Sequence, residues 1–256
     1  MKPTVGSLFA GIGGIDLGLE RAGFVTKWQV EINDYARKVL EQHFPDAERF
    51  RDVKQFPPKP DSAWLLHRWK ERYGVDIIVG GDPCQENSNA RQNTGLTQKS
   101  LGGEFIRIVD LLRPWGVLRE NPAAVRKDAP WPWFRFRHAL ESIGYVAVPF
   151  RLRSCCFGKD HKRERLFLFA VRADSMCAGL EGDVVEEMAR AGRRSGVRNT
   201  TGQDRRNPTP RICRAADGVS HWKHRLKGLG NAVDVDVSEF NGINLMRAIM
   251  QSKIRN

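Results

Sequence analysis

The chain has 256 residues, 41% of them hydrophobic, and carries 42 Lys+Arg against 30 Asp+Glu for a formal charge of +12. That length supports one substantial domain with a small appendage, and the charge excess suits a phosphate backbone as partner. No charged-then-apolar signal segment or long apolar span is present, and the five cysteines lack paired zinc spacing, which predicts a reducing compartment, no membrane span and no metal.

Apolar strand candidates fall at Val5–Phe9, Trp28–Val30, Ile77–Val79, Val117–Leu118, Tyr145–Val148 and Leu166–Val171, separated by helical stretches such as Tyr35–His43 and Glu104–Leu112. Alternation of this kind predicts an α/β sheet with helices on both faces. The first strand runs into a glycine-rich turn, Phe9-Ala10-Gly11-Ile12-Gly13-Gly14, followed by a helix with Ile15, Leu19 and Ala22 at helical spacing. Glycines there let the backbone approach a ligand, and an acid about 20 positions later can hold a ribose; Glu31, at the end of the second strand, stands at that distance. The third glycine is misplaced for a dinucleotide fingerprint, which favours an adenosine-containing ligand without a pyrophosphate. A tight structural turn is the plain alternative.

The run Val75-Asp76-Ile77-Ile78-Val79 reads as a buried strand ending in Gly80-Gly81-Asp82-Pro83-Cys84-Gln85. Ligands on such sheets bind beyond the strands' carboxyl ends, so Cys84 is placed as a nucleophile, against the alternative of one more buried cysteine. Cys155, Cys156, Cys177 and Cys213 read as packing residues. The loop from about Asn89 to Gly103 is polar, carries Gly95, Gly102 and Gly103, and is a candidate lid over the site. Glu120 and Asn121 follow the strand Gly116-Val117-Leu118, and Arg163-Glu164-Arg165 precedes Leu166-Phe167-Leu168-Phe169-Ala170. Taken singly, the first pair reads equally as turn caps and the arginines as surface ion pairs. From Arg190 to Arg214 there are eight arginines and one acid, Asp204, in a stretch broken by glycine and proline. It reads as a nucleic-acid-facing loop, with a solvated basic tail as the alternative. A closing helix is expected from about Ser238 to Met250, returning to the layer of the first strand.

These blocks, in this order, resemble the DNA (cytosine-5)-methyltransferase family. Phe9 to Gly14 is similar to its S-adenosylmethionine loop, Glu31 to the ribose acid, Arg51-Asp52-Val53 to the adenine-contacting segment, and Pro83-Cys84-Gln85 with Ser88 to the nucleophile block. Glu120-Asn121-Pro122 resembles Glu-Asn-Val, Arg163-Glu164-Arg165 the Gln-x-Arg-x-Arg block, and Gly230-Asn231-Ala232-Val233 the closing block. The likeness departs at Pro122, at His161-Lys162 before Arg163, and at Asp234 and Asp236, two carboxylates near the expected methionine end of the cofactor pocket that read as facing water.

The resemblance implies a Rossmann-like class I methyltransferase sheet with a small target-recognition segment. Residues 1–172 would be the catalytic and cofactor domain, 173–221 the recognition region and 222–256 a segment returning to the first. It implies Cys84, Glu120, Arg163 and Arg165 as catalytic. Cofactor contacts are implied for Phe9, Ala10, Gly11, Ile12, Gly13, Gly14, Glu31, Ile32, Asp52, Val53, Asp82, Pro83, Asn231 and Ala232, with S-adenosyl-L-methionine converted to S-adenosyl-L-homocysteine. Substrate contacts are implied for Gln85, Ser88, Arg193, Arg194 and Arg211, on double-stranded DNA with the target cytosine flipped out of the duplex. A cytoplasmic monomer of a prokaryotic or phage-infected cell, with a paired restriction endonuclease possible, completes the expectation. The chemistry suits these residue types: cytosine C5 becomes nucleophilic enough to take a methyl group once a thiolate adds at C6, and an acid at N3 stabilises the charge that builds on the ring. The competing readings are an RNA cytosine methyltransferase, a catalytically silent DNA-binding regulator of the same fold, and transfer from an unusual sulfonium donor.

Overall fold

A computed structural model describes residues 1–58, 61–82, 101–122, 131–157, 163–175 and 233–254. Its centre is a seven-stranded sheet of β1 (Thr4–Leu8), β2 (Val25–Val30), β3 (Glu48–Phe50), β4 (Ile77–Gly80), β5 (Gly116–Pro122), β6 (Tyr145–Arg153) and β7 (Glu164–Arg172). The strand order is β3-β2-β1-β4-β5-β7-β6. The first five strands pair in parallel, and β7 runs antiparallel between β5 and β6. This is the expected α/β architecture, with helices on both faces.

Alternation along the strands sorts the core into two layers. Val5, Ile77, Val79, Leu118, Phe167 and Phe169 face α1 (Gly14–Arg21) and the last helix, whose Leu245, Ala248 and Ile249 are buried in the same cluster. Leu8, Trp28, Ile78, Val117 and Leu168 face the other way. There they meet α4 (Leu101–Leu112) and α5 (Trp131–Ser142), while α2 (Asp34–His43) and α3 (Ala63–Tyr73) complete the helices before them. In α4 the spacing of Phe105, Ile108, Val109 and Leu112 makes one apolar stripe, and all four are buried. Each contributes about 1.5–3 kcal/mol over the exposed state. The caps of α2 and α3 are set by side chains: Asn33 accepts from Ala36 N–H and Ser62 from Leu65 N–H.

Several elements differ from expectation. Gly102 and Gly103 belong to the first turn of α4, not to a lid, because the buried stripe pulls Leu101 to Gly103 into the helix; residues 89–100 lie outside the described residues. Glu120 and Asn121 are paired inside β5 opposite Phe167 and Leu166 instead of capping a turn. Cys155 is exposed on the short 3-10 turn Ser154–Phe157, not packed. The closing helix, α6 (Val235–Ile254), is longer than Ser238–Met250; it packs along α1 and returns to the layer of the first strand, where its Leu245 and Ile249 share a buried cluster with Val5. Among the described residues no helix is long and apolar enough to cross a membrane.

Candidate active site

The strand order reverses between β1 and β4, and the crevice outside the strand ends at such a point is where ligands of open α/β sheets bind. The loop after β1 is built for that approach. Gly11 and Gly13 adopt φ of 57° and 83°, left-handed values that glycine takes without a Cβ penalty. Gly13 N–H donates to Ala10 O at 2.9 Å, and Ala10 N–H to Val30 O at 3.1 Å, which ties the turn to the end of β2. Glu31 completes the tie. Its Oε2 accepts from Gly11 N–H at 2.8 Å and its Oε1 from Asn33 N–H at 2.8 Å.

Beside Glu31, Ile32 is an exposed apolar side chain. Asp52 caps the next short turn by accepting from Lys54 N–H at 2.9 Å, with Val53 buried beneath it. A cavity of about 400 Å³ opens against Ile12, Gly13 and Gly14, with Arg163 and Asp234 in its lining. Asp234 lines this open cavity and is partly exposed, while its Oδ1 also accepts from Asp236 N–H at the start of α6. Asp236 is at the surface, 3.5 Å from Arg21.

Glu120 is the chemically distinctive group. The pairing of β5 with β7 sets Pro122 opposite Arg165, so Glu120, two residues earlier, shares a face with Arg165. Arg165 Nε lies 2.7 Å from Glu120 Oε1, off the line of a hydrogen bond. The carboxyl is only 5% exposed. Burial pushes its pKa from 4.5 up to about 7 against the opposing charges of Arg165 and Arg163, with Asp82 adding to the rise and Arg119 opposing it. Such a group is partly protonated at neutral pH and can donate a proton. Arg163 has its own pKa lowered, first by burial and then by the charge of Arg165.

On the opposite face of β5, Arg119 makes a buried fork with Asp82: Nε to Oδ1 at 2.5 Å and Nη2 to Oδ2 at 2.6 Å. Asn121 Nδ2 adds a third bond to Asp82 at 3.1 Å, and the guanidinium lies 4.0 Å from the ring centre of Phe136. The Asp82 carboxylate is thus held by protein groups.

A family model for C-5 cytosine-specific DNA methylases matches residues 4–210. The chain belongs to this family. Type II methyltransferase M.Eco47II of Escherichia coli is 34% identical over 176 residues, 67% of this chain and 40% of its own length. Type II methyltransferase M.CviJI of Paramecium bursaria Chlorella virus IL3A is 32% identical over 65% of this chain and 42% of its own. The chain thus spans under half the length of these relatives. Among solved structures, a prophage-encoded E. coli protein described as a DNA modification methyltransferase superposes with a TM-score of 0.53 at 25% identity, covering 68% of this chain and 47% of that one. DNMT2 of Spodoptera frugiperda, at 21% identity and a TM-score of 0.53 over 68% and 51%, shares the fold.

For a C5 methylase, the residues present fit S-adenosylmethionine: a carboxylate just past β2, an exposed apolar side chain next to it in the chain and a left-handed glycine turn after β1 are groups that can hold an adenosine. Of the predicted site residues, Phe9 to Gly14, Glu31, Ile32, Asp52, Val53, Asp82, Glu120, Arg163 and Arg165 are described, and Glu120 is brought together with the two arginines. Pro83, Cys84, Gln85, Ser88, Arg193, Arg194, Arg211, Asn231 and Ala232 lie outside the described residues, as does the recognition region beyond Ser175. Sequence reasoning missed Arg119 and Gly81. A charge continuing the apolar run of β5 was the available signal for the first, and a second glycine just past β4 for the other.

Proposed function

We propose that this chain is a DNA cytosine C5 methyltransferase that uses Cys84 as nucleophile, Glu120 as acid and S-adenosylmethionine as methyl donor on duplex DNA. The observation that carries the reading is the buried Glu120 carboxyl, its pKa raised to about 7, flanked by Arg165 and Arg163 near the end of β5 in a C5-methylase sheet. The thiolate of Cys84 adds to C6 of a flipped cytosine while Glu120 delivers a proton to N3, so the electron pair of the broken C5–C6 double bond becomes available at C5. S-adenosylmethionine, when bound, supplies the electrophilic methyl group. Loss of the C5 proton and expulsion of the thiolate rebuild the C5–C6 double bond, and N3 returns its proton to Glu120.

Glu31 would bind the ribose, Ile32 and Val53 the adenine, and the Phe9 to Gly14 turn the remainder of the cofactor, with Pro83, Asn231 and Ala232 completing the pocket. Arg163 favours the thiolate and Arg165 holds Glu120 against Gly81. Gln85, Ser88 and the arginines at 193, 194 and 211 would meet the DNA. The Type II relatives support a role in modification alongside a restriction endonuclease. The test is transfer of labelled methyl to mixed-sequence duplex DNA, with the product mapped by bisulfite sequencing. Methylcytosine in a defined context, lost in Cys84→Ala, is expected; DNA binding without any cytosine product refutes the reading.

A further inference from the structure

We propose that Arg119 is a positioning residue for this reaction: its fork on Asp82 fixes the point where β4 ends and the chain enters the segment carrying Cys84. The inference rests on the methyltransferase reading above. Asp82 stands two residues before Cys84 in the chain, and Arg119 directly precedes Glu120. One ion pair therefore links the backbone positions that lead to the nucleophile and to the acid. Gly80 is the register partner of Arg119 in the last pairing of the β4–β5 ladder, so the fork ties Arg119 to a residue two positions beyond that pairing.

Stability alone is a poor reason for such a pair. Burying both charges costs solvation that apolar side chains of similar volume would not, and replacing buried pairs in this way is often neutral or stabilising. Geometry is what the pair adds. Two parallel charge-assisted bonds fix the plane of the Asp82 carboxylate, the bond from Asn121 fixes it along the strand, and the Phe136 ring covers the guanidinium. Arg119 points to the face opposite Glu120 and Arg165, so it acts on the reacting groups through the backbone and not by touching substrate. Asp82 and Arg119 also place charges of opposite sign near Glu120, the first raising its pKa and the second lowering it.

Two variants separate positioning from folding. Asp82→Asn/Arg119→Gln replaces the fork by an uncharged pair of similar size, and Arg119→Lys keeps the charge but loses the planar fork. Both are measured for single-turnover methyl transfer to duplex DNA at saturating cofactor, for S-adenosylhomocysteine affinity by calorimetry, and for melting temperature. Transfer slowed tenfold or more in both at saturating cofactor, with cooperative melting retained, is the expected result. Native transfer rates in either folded variant overturn the proposal. If the native chain itself transfers no methyl group, the functional reading fails separately, and the positioning claim is then judged by iodoacetamide alkylation mapped by peptide mass. A change of tenfold or more at Cys84 in the uncharged pair, with Cys155 unchanged, upholds it; an unchanged rate at Cys84 overturns it.

Discussion

Gly81→Ala separates the position of the acid from the stability of the fold. A Cβ on Gly81 would lie 2.8 Å from Glu120 Oε2 and 3.3 Å from Glu120 O, whereas ordinary contact begins at 3.4 Å. The carboxyl therefore has to retreat by about 0.6 Å, the difference between contact distance and 2.8 Å. It is the far end of a flexible side chain, so the retreat costs an off-rotamer torsion of about 0.5–1.5 kcal/mol. Gly81 has no positive φ, so alanine also restricts the unfolded chain and returns about 0.4–1 kcal/mol. Net stability should change by less than about 1 kcal/mol, or roughly 2–4 °C in Tm. Catalysis should not be spared, because displacements near 1 Å in a reacting constellation cost about 100-fold. Single-turnover transfer should fall between about tenfold and 100-fold, with S-adenosylhomocysteine affinity unchanged. Combined with Glu120→Gln, the alanine should add nothing further. A folded Gly81→Ala protein that transfers methyl at the native rate would show that the carboxyl against Gly81 is not the acid.

Three further outcomes follow from the same coordinates. Glu120→Gln removes the transferable proton and should lower kcat by about 100-fold or more. Because the native acid is protonated below its pKa of about 7, the native rate should decline as pH rises through 7, and that limb should vanish in the glutamine variant's pH profile. Asp16 is fully buried, with its carboxylate accepting from Ser7 Oγ at 3.0 Å and Gln29 Nε2 at 2.9 Å, yet burial raises its pKa from 3.8 to about 6. The folded state thus favours the protonated acid: stability is fully present below pH 3.8, declines as pH rises through 6, and is lower by about 3 kcal/mol at neutrality. Asp16→Asn can serve both partners without a charge, and chemical denaturation should find it more stable than native at pH 7.5 and no more stable at pH 4. A Cβ on Gly6 would lie 2.0 Å from the buried Trp28 ring, whose Nε1 donates to Tyr73 O, so Gly6→Ala should destabilise by about 3 kcal/mol and lower Tm accordingly.

The parts of the fold legible in the sequence were those built from local apolar pattern. Ile77 to Val79 and Leu166 to Val171 are continuous apolar runs because both sheet faces are covered there, and they fall within β4 and β7. β3 is Glu-Arg-Phe, a short edge strand held by pairing with β2, and no run of its own marks it. α3 and α5 were not singled out: α3 buries only Tyr73 completely, and α5 begins at Trp131-Pro132, which reads as a break although proline is tolerated in a first helical turn. β5 runs on past Leu118 because Arg119 is neutralised by Asp82, just past the end of the neighbouring β4, a partner 37 residues away that no local window contains. At the candidate site, Glu31 lies just past β2 where its sequence position predicts, whereas Glu120 lies within β5, beyond the apolar run by which the sequence marks that strand. The steric wall at Gly81 and the Arg119 fork were not legible, since both depend on the β4–β5 register.

The most direct measurement uses duplex DNA carrying 5-fluorocytosine in the methylated context, incubated with the protein and S-adenosylmethionine and then denatured. Fluorine cannot leave C5 as a cation, so a reaction begun by thiolate addition at C6 should stall after methyl transfer with the protein still bonded to the base. The account predicts a denaturation-resistant complex that requires the cofactor, maps to the peptide bearing Cys84, is absent in Cys84→Ala and forms at least 100-fold more slowly in Glu120→Gln. An adduct on another cysteine, or no adduct under conditions where ordinary duplex is methylated, would contradict it.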